Sequence, residues 1–172
     1  MAYTALFLVS LAAGSAEDTM HLSPHTEHTS VIAGLKLTQI TSGLGEDEIE
    51  AGIGGIAFAE TSIIEGWLEA EISAGTLILS DETVYPFEVL AKKPFHFGDF
   101  CPYIAVGPTF DVVRHDSENS TLFGISSALG AYLWLGQHVG VDVEVLYSAV
   151  EPTSGDETIH EILVGFGPAW RY

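Results

Sequence analysis

The chain is poor in positive charge. Five Lys and Arg residues stand against 24 Asp and Glu, for a formal net charge of −19. Phosphate backbones are held by basic footprints, so this balance excludes nucleic acid as a partner. Cys101 is the one cysteine; it excludes an intrachain disulfide and reads as a free structural thiol. Helical spacing of apolar residues (i, i+3, i+4, i+7) is never sustained, which argues against packed amphipathic helices. Also missing are a Gly-rich phosphate loop, a CxxC pair and a calcium loop. The segment EPTSGDETIHE (151–161) lacks the oxygen spacing that calcium requires. No cofactor is therefore expected.

Hydrophobic residues are abundant at 47%, and the mean hydropathy is +0.31. A chain this apolar is not a disordered acidic tail, and 172 residues suffice for one domain with a sizeable core. An apolar chain with many carboxylates must sort the two kinds of residue by face. The N-terminal apolar run Ala5–Ala13 is too short to span a bilayer as a helix. Gly14, Ser15 and Ala16 follow it, so residues 1–16 read as a secretory signal peptide cleaved after Ala16. Residues 17–27 then form a linker, and 28–172 form the folded domain.

After Thr29 the pattern has period 2. Strands are predicted at 28–40, 48–61, 67–79, 84–93, 102–114, 122–135, 139–149 and 159–172, separated by turn-like breaks such as SGLGED, SIIEG and HDSENS. Eight strands without helices suggest a meander of antiparallel hairpins. Closing it into a barrel removes its two exposed edges. One face carries Leu35, Leu37, Ile53, Ile72, Phe87, Val106, Ile125, Val143 and Val145 with no charge in its middle. The other carries Lys36, Glu69, Glu71, Glu88, Lys92, Asp142, Glu144, Glu161 and Arg171, interspersed with glycines.

Alternation alone does not say which face is outside. A soluble lipocalin-like barrel turns its apolar face inward around an apolar ligand, whereas a membrane barrel turns it toward lipid. Small residues on the polar face fit the cramped interior of an eight-stranded barrel. Charges enclosed there need partners, and the nine charged residues just named are the candidates for lumen ion pairs. Aromatics near strand ends (Trp67, Tyr85, Phe95, Phe97, Tyr103, Tyr147, Trp170 and Tyr172) suit interfacial girdles; Trp134 is the exception, with a direction that suits the lumen.

The final strand, EILVGFGPAWRY (161–172), alternates to its last residue and ends on Tyr172. It resembles the C-terminal signal of Gram-negative outer-membrane barrels, with Phe166, Trp170 and Tyr172 in its aromatic positions. The stretch 124–150, GISSALGAYLWLGQHVGVDVEVLYSAV, is similar to the strand, turn and strand of small OmpA/OmpX-like barrels. The resemblance covers residues 28–172. It implies an all-β, eight-stranded antiparallel up-and-down transmembrane barrel in the bacterial outer membrane. The partners it implies are outer-membrane lipids and, through the C-terminal strand, the barrel assembly machinery; the barrel would be a monomer. Pro86, Pro108 and Pro168 lie within strands, lack ladder donors and are expected at edges or bulges.

Catalytic and metal chemistry have few candidates. His21, His25 and His28 lie before or at the very start of the first predicted strand, where a solvated segment explains them better than a metal site. His115 and Ser117 invite comparison with barrel lipid A deacylases, but the surrounding RHDSENS reads as a turn, so catalytic residues are expected to be none. The expected role is that of a small barrel with a plugged polar interior, structural or interacting through acidic loops near 42–48, 80–83, 115–120 and 151–158. The alternatives are the soluble ligand-binding barrel and, third, a lipid A-modifying hydrolase.

Overall fold

A computed structural model describes residues 31–43, 49–115, 118–153 and 158–172. The segments expected as signal peptide (1–16) and linker (17–27), and the three early histidines, lie outside the described residues. Eight strands follow in chain order: β1 (Val31–Ser42), β2 (Glu50–Ile64), β3 (Leu68–Ile78), β4 (Glu82–Pro94), β5 (Phe100–His115), β6 (Glu118–Trp134), β7 (Val139–Pro152) and β8 (Ile159–Arg171). Each pairs antiparallel with the next, and β1 pairs with β8, giving a closed up-and-down barrel. The period-2 pattern therefore describes the fold correctly. The shortest strand, β3, has 11 residues; a tilted strand needs about 9–11 to cross a hydrocarbon core.

The seam is anchored at the last residues. Val31 N donates to Tyr172 O at 3.4 Å, and Tyr172 N donates to Val31 O at 2.9 Å. This terminal end also carries the tight turns β2–β3, β4–β5 and β6–β7. The loop end carries the other four hairpin connections.

Strand limits differ from the sequence reading in places. β2 runs on to Ile64 through part of SIIEG, with its register shift between Ser62 and Ile64. The HDSENS break is shorter than expected, because Glu118, Asn119 and Ser120 pair with β5. The prolines do not behave as expected either. Pro86 pairs with Asp111, Pro108 with Ile125 and Pro168 with Val141, and no register shift occurs at any of them. Each instead interrupts the ladder on its other side for two residues, between Ala74↔Phe87 and Leu77↔Val84, between Glu88↔Thr109 and Ala91↔Val106, and between Gly34↔Ala169 and Leu37↔Phe166. A missing N–H removes a ladder bond but need not shift the strand when the next bonds restore the register.

Two of these prolines follow inward glycines. A Cβ at Gly107 would lie 2.0 Å from Val89 O, and one at Gly167 would lie 1.8 Å from Leu35 O. Neighbouring backbones approach too closely there for any side chain. Elsewhere inward glycines make room for rings: a Cβ at Gly34 would meet Phe58 at 2.5 Å, and one at Gly130 would meet the Tyr103 hydroxyl at 2.4 Å. Small residues at these positions are what permit a closed barrel of this width. Substituting Gly107→Val is expected to cost at least about 1–3 kcal/mol, the usual cost of overpacking. Denaturant titration of the refolded protein should show a lowered midpoint, and an unchanged midpoint would contradict the close approach.

Candidate functional site

The alternating pattern places every charged residue of the mid-strands inside. Eight carboxylates are buried there (Glu60, Glu69, Glu71, Glu88, Asp111, Asp142, Glu144 and Glu161), together with Lys36 and Lys92. Outside stand Leu35, Ile53, Ile72, Phe87, Val106, Ile125, Leu129, Val143, Val145, Val164 and Phe166, all exposed. This distribution is the inverse of a soluble barrel's.

Lys92 is fully buried and central to the terminal half of the lumen. Its ammonium pairs with Glu71 and lies 2.6 Å from Glu60 Oε2. It donates to the Tyr132 hydroxyl at 3.0 Å and lies 3.9 Å from the centroid of the Tyr103 ring. Lys36 Nζ lies 2.5 Å from Glu144 Oε1, 3.5 Å from Asp142 Oδ2 and 3.6 Å from Glu71 Oε1. Glu71 therefore bridges the two ammonium groups. The Tyr103 hydroxyl lies 2.9 Å from both Asp142 Oδ1 and Glu144 Oε2, and Tyr132 donates to Glu60 Oε2 at 3.0 Å. Tyr103 and Tyr132 pack at 5.3 Å between ring centroids, and Tyr132 stacks on Trp134 at 5.5 Å.

The remaining candidates are placed differently. Glu69 is the cross-strand neighbour of Lys92. Glu88 accepts from Ser73 Oγ at 3.0 Å, and Glu161 accepts from Ser42 Oγ at 3.2 Å. Arg171 stacks its guanidinium 3.8 Å from the centre of the Trp134 ring rather than on a carboxylate. Phe166 and Trp170 point outward on β8, and Tyr172, just past its end, is exposed. In the 95–99 turn, outside the strands, burial and then the Arg171 and Lys93 charges hold the His96 imidazole below its ordinary pKa.

Tyr103 requires a correction. It was grouped with the interfacial aromatics, but it is 1% exposed and faces the lumen. It shares parity with Gly107 and Asp111, whereas its neighbours Ile104 and Val106 face outward; that parity was the signal. Glu60 and Tyr132 were overlooked as site residues. Their parity matches Glu50 and Gly130 respectively, so alternation placed them inside, but nothing local marked them as partners of Lys92. Trp134, by contrast, does face inward. His115 ends β5 with Nδ1 3.5 Å from Glu82 Oε1; Ser117 lies outside the described residues. Among the described residues no group of three His, Cys, Asp or Glu side chains is arranged to hold a metal ion.

Comparison with solved structures agrees with this geometry. The barrel is similar to Neisserial surface protein A, with a TM-score of 0.69 and 15% identity over 83% of this chain and 96% of that one. The fold is that of the small outer-membrane β-barrels. Ail, the attachment invasion locus protein of Yersinia pestis, is similar at TM-score 0.61 and 10% identity, covering 84% of this chain and 97% of its own. The N-terminal barrel domain of Pseudomonas aeruginosa OprF is similar at 0.60 and 13%, covering 84% and 98%. No family model and no curated protein matches the chain.

Breaking a buried pair leaves an uncompensated charge, which typically costs about 3–5 kcal/mol. Lys92→Met should therefore be strongly destabilising, because Glu60 would lose its cation and Glu71 would keep only Lys36, at 3.6 Å. The triple variant Lys92→Met, Glu60→Gln, Glu71→Gln should recover much of the loss. Urea unfolding in lipid vesicles checks both, and a triple variant no more stable than Lys92→Met would show that the loss is not one of charge.

Proposed function

We propose that the protein is a monomeric resident of the bacterial outer membrane, with a lumen plugged by its own side chains. Its role is structural or one of surface interaction, and it is neither a general porin nor an enzyme. The observation that carries the reading is the inverted distribution of side chains, apolar outside and charged inside. Aliphatic groups covering a whole barrel circumference would drive aggregation in water but match lipid tails. Trp67, Phe95, Phe97, Trp170 and Tyr172 are exposed around the terminal end, as an interfacial belt would require. Phe166, Trp170 and Tyr172 project from the strand that closes the barrel, where the assembly machinery would read them.

A closed lumen follows from the width of an eight-stranded barrel, which leaves room for side chains rather than for a pore. The Lys36–Lys92 network and the rings of Phe58, Tyr103, Tyr132 and Trp134 occupy the terminal half. The loop end is acidic, with Asp81, Glu82 and Glu151 at hairpin bases and Glu46, Asp47, Asp156 and Glu157 in the loop sequences. Such loops favour a basic partner. They disfavour a polyanion such as the heparin analogue sucrose octasulfate, with which Ail forms a complex.

Three measurements test the reading. Expression with the native N-terminal segment should give an outer-membrane band whose gel mobility shifts on boiling; a soluble band without a shift would favour the lipocalin-like alternative. Val145, outward on β7 and 47% exposed, reports the surroundings directly. Val145→Arg should cost about 2–4 kcal/mol if it faces the bilayer interior and almost nothing if it faces water. Reconstituted protein should give no steady ion current in planar bilayers.

A further inference from the structure

At the loop end the lumen opens into a cavity of about 330 Å³, at the lower edge of the range for small-molecule sites. Its two sides differ. Leu79, Val84, Val113 and Leu122 give it an apolar wall drawn from the β3–β4 turn and from β4, β5 and β6. On the other side Ser42 of β1 is flanked by Glu50 of β2 and Glu161 of β8, its direct partners in the two ladders. Glu82 of β4 adds a third carboxylate at the rim, with His115 3.5 Å away.

The charge here is not neutralised from below. Both buried lysines are committed to Glu60, Glu71, Asp142 and Glu144. Among the described residues no Lys or Arg forms an ion pair with Glu50, Glu161 or Asp111. Glu161 is 5% exposed and Asp111 2% exposed. Ser42 gives Glu161 a neutral hydrogen bond only. Burying carboxylates without a counter-ion is costly, whereas an apolar wall gains by excluding water. A single occupant that meets both needs has a positive head and a short apolar body.

We propose that this cavity binds an organic cation of the alkylammonium class. The ammonium group lies between Glu50 and Glu161, and the alkyl chain lies against Val84, Val113 and Leu122. A metal ion would use the carboxylates and ignore the apolar wall. A neutral or anionic amphiphile would do the reverse or be repelled. The site is independent of any surface partner, because it needs only the closed barrel.

The test is titration of the full barrel, refolded in nonionic detergent, with hexyltrimethylammonium, followed by calorimetry and by amide chemical shifts. Tetramethylammonium, hexanesulfonate, 1-hexanol and magnesium chloride serve as comparators. Saturable one-to-one binding is expected, with shifts centred on Val84 and Leu122. It should be at least about tenfold tighter than tetramethylammonium, since buried methylenes add affinity, and hexanesulfonate should not bind. Glu161→Gln should weaken hexyltrimethylammonium about fivefold or more, because it removes one carboxylate charge from beside the ammonium in a partly desolvated site. Glu50→Gln, at the half-buried rim, provides the same reading should Glu161→Gln fail to give the heat-modifiable folded form. The proposal is overturned by absent saturation, by equal binding of the cation, the sulfonate and the alcohol, or by affinity indifferent to chain length and matched by magnesium. Folded Glu50→Gln and Glu161→Gln proteins that both bind like wild type would overturn it as well.

Discussion

Closure between β1 and β8 is the constraint from which the rest of the structure follows. An open sheet would expose two rows of unpaired N–H and C=O groups, each costly where no water can reach it. Pairing Ile32 with Arg171 through Ser42 with Glu161 removes both edges. Closing only eight strands makes the interior narrow, and the narrowness decides composition. Gly107 and Gly167 stand where a neighbouring carbonyl leaves no room for a side chain, while Gly34 and Gly130 yield their space to Phe58 and Tyr103. Confinement then brings carboxylates from β2, β3 and β7 within reach of two ammonium groups.

Within this frame the lumen divides along its axis. The terminal half is dense with rings and paired charges. The loop half holds aliphatic side chains, including Ile40, Leu77, Leu79, Val84, Val113, Leu122 and Val150, with Glu88, Asp111 and Glu161 set among them. The two halves meet different surroundings, since one end lies by Val31, Tyr172 and the tight turns and the other by the remaining four hairpin connections. Both lysines and their carboxylate partners lie in the terminal half, whereas Glu88, Asp111 and Glu161 of the loop half form no ion pair with Lys or Arg among the described residues.

Fold class and face assignment were legible because period 2 persists through every strand and because bulk and glycine segregate by parity. Lys36, Glu71, Lys92, Asp142 and Glu144 were legible as interior charges for the same reason. Which carboxylate meets which lysine was not. That depends on the shear of the ladders and on side-chain reach across the lumen, so Glu60 of β2 and Tyr132 of β6 converge on Lys92 of β4 with no local sign of it. The prolines misled for a related reason. A residue type reports the bond it cannot make, whereas register is set by all the other pairs in the ladder. At Pro86, Pro108 and Pro168 those other pairs hold.

The use of lysine rather than arginine at the two central positions has a physical reason. The ammonium is a compact point charge on a flexible stem, and arginine is a planar fork that favours bidentate geometry. Lys92 sits against the Tyr103 ring while reaching Glu60, Glu71 and the Tyr132 hydroxyl from three directions. A tetrahedral group with three donors serves that arrangement, and a planar one does not. At the terminal rim the chain instead has Arg171, with its guanidinium carbon over the Trp134 ring, 3.8 Å from its centre. The choice of cation thus follows the shape of the space, and it limits how much negative charge the lysines can serve. Two ammonium groups against eight buried carboxylates leave the loop half of the lumen short of cations.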